Sequence, residues 1–165
     1  MTTTTLASVP AAAARRLSRG AAIMALGGIG FVGYGLLFFV QNFTGFLELG
    51  ISRAEVDVGR ADIQRFSPSL YHYIGHLHIA LAGFIAACGV AVAALAWFGV
   101  RRGELWAWVT AVVVPVLALA VALPSHYPYN FDTAGHLGLI YADTLLFTVG
   151  AVLALAGLQA RRAIR

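Results

Sequence analysis

The sequence predicts an all-α integral membrane protein, a four-helix bundle with both termini in the cytoplasm. Three observations lead there. The chain is 60% hydrophobic and only 11% charged, with a mean hydropathy of +0.82, against roughly a quarter charged in soluble domains. It contains four apolar runs of about 20 residues, the length that crosses about 30 Å of hydrocarbon as a helix. All eleven basic residues are arginine, and they lie outside those runs.

Residues 1–20, MTTTTLASVPAAAARRLSRG, form a Thr/Ala-rich basic leader without a packing pattern, expected to be disordered. The first apolar run, 21–41, is too long for a secretory signal and lacks a small-x-small cleavage site, so it reads as an uncleaved span. The other runs are 73–99, 105–123 and 136–157. With them they define one transmembrane domain over 21–158, an outer loop at 42–72 and a basic tail at 159–165. Short cytoplasmic flanks retain arginine. Three arginines precede the first run, two sit in RRGEL at 101–105 and three in QARRAIR at the C-terminus, whereas the loop before the fourth run has none. Both termini and the RRGEL hairpin therefore face inward in an inner, plasma-type membrane. Trp97, Trp106 and Trp108 bracket the hairpin, and Tyr71, Tyr73, Tyr127, Tyr129 and Phe131 gather at the opposite interface, as aromatic belts do.

Helix packing is written in small residues, which let backbones approach where lipid removes the hydrophobic drive. Gly83, Ala87 and Ala91 recur every four residues, and GGIGFVGYG loads the first span with glycine. The G-x-G-x-x-G at Gly28, Gly30 and Gly33 follows no strand and lies inside a span, so it is packing rather than a dinucleotide fingerprint. Pro115 removes one backbone donor and predicts a kink. The lone Cys88, mid-span, excludes an intrachain disulfide and reads as a packing residue. In the outer loop Ser52 and Glu55 form a capping box, predicting a short surface helix that stops at Pro68. Asp132 is positioned as an N-cap for the fourth helix.

All five histidines fall at the outer end. A helix turns about 100° per residue, so His72 and His76 share a face and His78 points away from them. His136 and Asp143 share a face on the fourth span, with Asp143 about 10 Å deeper. A carboxylate inside a span is costly unless it faces protein and finds a partner, for which His76, His78, Tyr34 and Thr144 are candidates. This set predicts a transition-metal site from His72, His76, His136 and Asp143, with Asp132 as a further ligand or supporting group. Haem held axially by His76 and His136 is the variant of the same reading. Two other classes fit the layout. One is a membrane enzyme or carrier for a lipid, quinone or sterol, using His/Asp pairs for proton transfer. The other is an accessory subunit, or a homo-oligomer, within a larger membrane complex. No basic stripe with interleaved aromatics suggests nucleic acid, so the expected partner is the lipid bilayer.

HLHIALAGF, at 76–84, together with RRGELWAW, at 101–108, resembles uncharacterised four-span membrane proteins of GC-rich bacteria, a source that the lysine-free, arginine-rich composition also suggests. The likeness covers the second and third spans and implies no activity. Placement of polar groups at one end is similar in layout to the sterol-isomerase type of bundle and to small quinone-linked membrane proteins, though no glutamate lies within a span.

Overall fold

A computed structural model describes residues 8–163 apart from 46 and 49, and among these every regular element is helical. α1 covers Ser8–Thr44, α2 Arg53–Val56, α3 Arg60–Phe66 and α4 Pro68–Ala94. A π-helical turn at Leu95–Gly99 and a 3-10 turn at Val100–Arg102 lead to α5, Leu105–Ala122. Two further 3-10 turns, Leu123–Ser125 and Tyr127–Tyr129, precede α6, Ala134–Arg162. Four of these helical stretches are long and apolar enough to cross a membrane.

α1 is longer than the apolar pattern predicted. Residues 8–20 of the expected disordered leader are helical, because Ala13 and Leu17 are buried and give this stretch a packing face. The first seven residues of the leader, and residues 164–165 of the tail, lie outside the described residues. α1 packs mainly along α6 and α4, and its glycines show how. A Cβ on Gly20 would fall 2.3 Å from Ala154 N, and one on Gly27 3.1 Å from Phe147 Cβ. A Cβ on Gly28 would fall 2.6 Å from Ala93 N, and one on Gly35 2.8 Å from Ala82 O. As the number rises along α1 it falls along α6 and α4, so both neighbours run antiparallel to it. Gly20 and Gly27 thus seat α1 on α6, and Gly28 and Gly35, seven residues apart, seat it on α4. Around these contacts lies a core that includes Met24, Val92, Ala96, Ala111, Phe147 and Ala154.

The hairpin end closes tightly. A Cβ on Gly99 would meet Ala107 Cβ, Gly103 turns with φ +95°, and Leu17 and the Arg161 guanidinium lie against Gly103. Trp108 Nε1 donates to Ala151 O at 3.0 Å, tying α5 to α6. Pro115 sits buried inside α5 without ending it.

At the other end, Ser67 caps α4 by accepting from Leu70 N at 3.2 Å. The preceding helix ends at Phe66, just before Pro68 as expected, and Pro68 also opens the next one, where its missing N–H has no intrahelical partner to lose. The predicted surface helix is present as two pieces. The Glu55 carboxylate accepts from both the Ser52 amide and, at 2.6 Å, the Ser52 hydroxyl. Asp57, at φ 58°, then turns the chain out of α2. Arg53 pairs with Asp62 at 3.0 Å, and Arg60 donates to Phe43 O at 2.9 Å, fastening the two pieces to the end of α1.

Candidate metal centre

The candidate centre forms where two connections meet the first turn of α6. Thr133, rather than the expected Asp132, is the N-cap: its hydroxyl accepts from His136 N at 3.3 Å. Asp132 is exposed. This cap places His136 in the first turn of α6, where it is 1% exposed.

Glu48 reaches His136 through a backbone contact. Past α1 the chain turns with Ile51 N donating to Glu48 O at 3.0 Å. Gly50 then lies against the start of α6 at φ +79°, where a Cβ would fall 2.3 Å from the Gly135 carbonyl. Only glycine satisfies both the left-handed conformation and that approach. The result sets Glu48 Oε2 3.4 Å from His136 Nε2.

His126 arrives from the α5–α6 connection. Its Nδ1 lies 3.0 Å from Ala122 O and 3.3 Å from Leu123 O. A ring nitrogen at hydrogen-bonding distance from carbonyl oxygens carries the proton, so Nε2 keeps its lone pair. Phe131 N donates back to His126 O at 2.9 Å and holds the turn. The His126 and His136 rings stand 5.1 Å apart, tilted by 32°.

One ligand atom from each of Glu48, His126 and His136 lies within 4.8 Å of the other two. A tetrahedral ion with bonds of about 2.0–2.2 Å holds its ligand atoms about 3.3–3.6 Å apart. The Glu48–His136 edge already has that length, and the two edges to His126 lie within 4.8 Å. His126 also carries the supporting contact typical of ligating imidazoles, donation of its second N–H to a backbone carbonyl. Two imidazoles and one carboxylate leave a fourth position for water or another ligand, a donor set suited to zinc and to other borderline transition metals.

The structure brings together one member of the predicted set, His136, with two residues the prediction left out. His72 and His76 are exposed on α4, and His72 stacks edgewise on Tyr71 at 5.5 Å. His78 is half-buried, its ring edge on Phe38 of α1 at 5.1 Å. Asp143 lies against α1 at Gly30, where a Cβ would meet Asp143 Oδ1 and Cγ, so this glycine makes room for the carboxyl group. Asp143 Oδ2 is buried and has no hydrogen-bond partner among the described residues. The Thr144 hydroxyl, a candidate partner, donates instead to Ile140 O at 2.7 Å.

A separate cavity of about 160 Å³ opens between α1, α4 and α5 beside Pro115, with Phe31, Phe84 and Cys88 among its apolar lining residues. Neither Asp143 nor any histidine lines it, so the proton-transfer groups of the enzyme or carrier reading stand apart from it. Comparison with protein-family models, curated proteins and solved structures finds no match to this chain.

Proposed function

We propose that this protein is a four-helix-bundle protein of the plasma membrane that binds a transition metal ion through Glu48, His126 and His136 on its outer side. The observation that carries the reading is the convergence of three ligand atoms within 4.8 Å, on residues from three separate parts of the chain. Arginine placement supports the orientation, with Arg15, Arg16, Arg19, Arg101, Arg102, Arg161 and Arg162 at the cytoplasmic end. The convergent donor set favours a single ion over haem spanning His76 and His136, because Glu48 and His126 both stand against His136. A bound ion would act as a Lewis acid on whatever occupies its fourth position. The chain's part is to fix two imidazoles and a carboxylate at the membrane surface.

The test is titration of chelator-stripped protein in detergent with Co²⁺ and Zn²⁺, reading visible absorption and bound metal per chain. One equivalent is expected. Glu48→Gln and His126→Ala should each weaken binding by about 100-fold or more, beyond the 10- to 100-fold typical of losing a supporting group. His72→Ala with His76→Ala should leave binding intact. Unchanged affinity in the first two variants, or loss in the third, overturns the assignment.

A further inference from the structure

At the hairpin end the outer side of α4 carries a groove that the metal reading does not use. α4 widens into the π-helical turn Leu95–Gly99, and Gly99 lets α5 close against it at Ala107. Single π turns re-aim the side chains that follow and are frequent at functional sites. Here lies an open groove of about 830 Å³ whose lining includes Ala91, Ala94, Phe98, Trp106, Arg102 and Glu104. Phe98 is 61% and Trp106 62% exposed.

The two charges in its lining are available to a ligand. Arg101 lies over the Trp97 ring at 4.4 Å, and Arg161 lies against Gly103. Arg102 and Glu104 are both exposed and form no ion pair among the described residues. From Ala94 an exposed face continues along α4 through Ala91 and Ala87 to Gly83, so this stripe does not pack against a helix as its spacing predicted, and a Cβ on Gly83 would meet nothing within 4 Å. Eleven residues of helix span about 16 Å, close to the half-thickness of a bilayer's hydrocarbon core. The groove therefore offers one cation, one anion and an indole at headgroup depth, followed by a shallow apolar track one leaflet deep.

We propose that this groove holds a zwitterionic phospholipid with a primary ammonium headgroup, phosphatidylethanolamine in type. Arg102 takes the phosphate as a planar donor, and Glu104 accepts hydrogen bonds from the ammonium. One acyl chain lies along Ala94, Ala91, Ala87 and Gly83. A choline headgroup satisfies Arg102 equally but has no N–H to give Glu104. A glycerol headgroup, whose only charge is its phosphate, brings no cation to pair with Glu104. Selectivity between the zwitterionic lipids thus rests on Glu104, and affinity for both rests on Arg102.

The experiment reconstitutes the full chain in vesicles with brominated phosphatidylethanolamine, phosphatidylcholine or phosphatidylglycerol at equal mole fraction. Subtracting Trp106→Phe isolates the quenching of Trp106. The expected result is a preference of about 2- to 12-fold for the ethanolamine lipid over the choline lipid, the size of one net hydrogen bond. Glu104→Gln should remove that preference, and Arg102→Gln should reduce quenching by both lipids. Equal quenching by the two zwitterionic lipids overturns the proposal, as does stronger quenching by phosphatidylglycerol. Disulfide crosslinking between copies through Ala87→Cys, with Trp106 unquenched by any lipid, overturns it too, since a second copy then covers the groove. The outcome is independent of the metal site at the other end.

Discussion

Gly28 and Gly33 lie five residues apart in one helix, yet adding a methyl group to each should have opposite consequences. At Gly28 the new Cβ would fall 2.6 Å from Ala93 N, 2.9 Å from Ala93 Cα and 2.9 Å from Gly89 O. All three are backbone atoms, so no side chain can swing aside, and α1 and α4 must separate by about 0.8 Å to reach ordinary contact. Overpacking of this kind costs about 1–3 kcal/mol. At Gly33 nothing lies within 4 Å. Alanine gains about 1 kcal/mol of helix propensity over glycine at either position. That gain cancels when the two variants are compared, and the difference isolates the close contact. Gly28→Ala should therefore be less stable than Gly33→Ala by about 1–3 kcal/mol, roughly a 5- to 150-fold difference in the unfolding equilibrium. Denaturation with SDS in mixed micelles, followed by tryptophan fluorescence, measures it. Coincident unfolding curves for the two variants would refute the assignment of Gly28 to the α1–α4 contact.

Three more predictions follow from single contacts. Gly50→Ala, strained at φ +79° and blocked by the Gly135 carbonyl, should lift Glu48 off His136 and lower metal affinity at least tenfold by Co²⁺ titration, even though residue 50 is no ligand. Trp108→Phe removes the donation to Ala151 O and should cost about 1 kcal/mol in the same SDS assay. Hydrogen bonds from the Ser52 hydroxyl and then its backbone N–H hold the Glu55 carboxyl below the usual carboxylate range. Its folded pKa is depressed, so the clamp is complete above the ordinary carboxylate pKa and is lost as pH falls through the lowered value. An NMR titration should show the Glu55 midpoint rising toward the ordinary value in Ser52→Ala; an unchanged midpoint would contradict the capping geometry.

Apolar length made the four spans legible, and small-residue spacing marked the first span as a packing helix before its partners were known. The Ser52 and Glu55 spacing likewise announced a helix start, because both partners of a capping box lie within four residues. The candidate metal centre was legible only in part. His136 stood out because it shares a face of the fourth apolar run with Asp143. Glu48 reaches it through the approach of Gly50 to Gly135, a contact across more than 80 residues that no local pattern encodes. His126 sits between two 3-10 turns whose path back over α6 depends on tertiary contacts. The His72 and His76 spacing was read from helix geometry, but periodicity says which residues share a face and not what that face meets. Asp143 resembles Glu48 in this respect, since its seat at Gly30 belongs to the α1–α6 pairing. The one signal available beforehand was the glycine itself.

The most direct test of the metal centre is X-ray absorption spectroscopy of Zn²⁺-loaded protein. The site predicts four nitrogen or oxygen neighbours at about 2.0–2.1 Å with outer-shell scattering from two imidazoles, falling to one in His126→Ala. A shell with no imidazole contribution, or one unchanged by His126→Ala, would contradict the assignment of Glu48, His126 and His136.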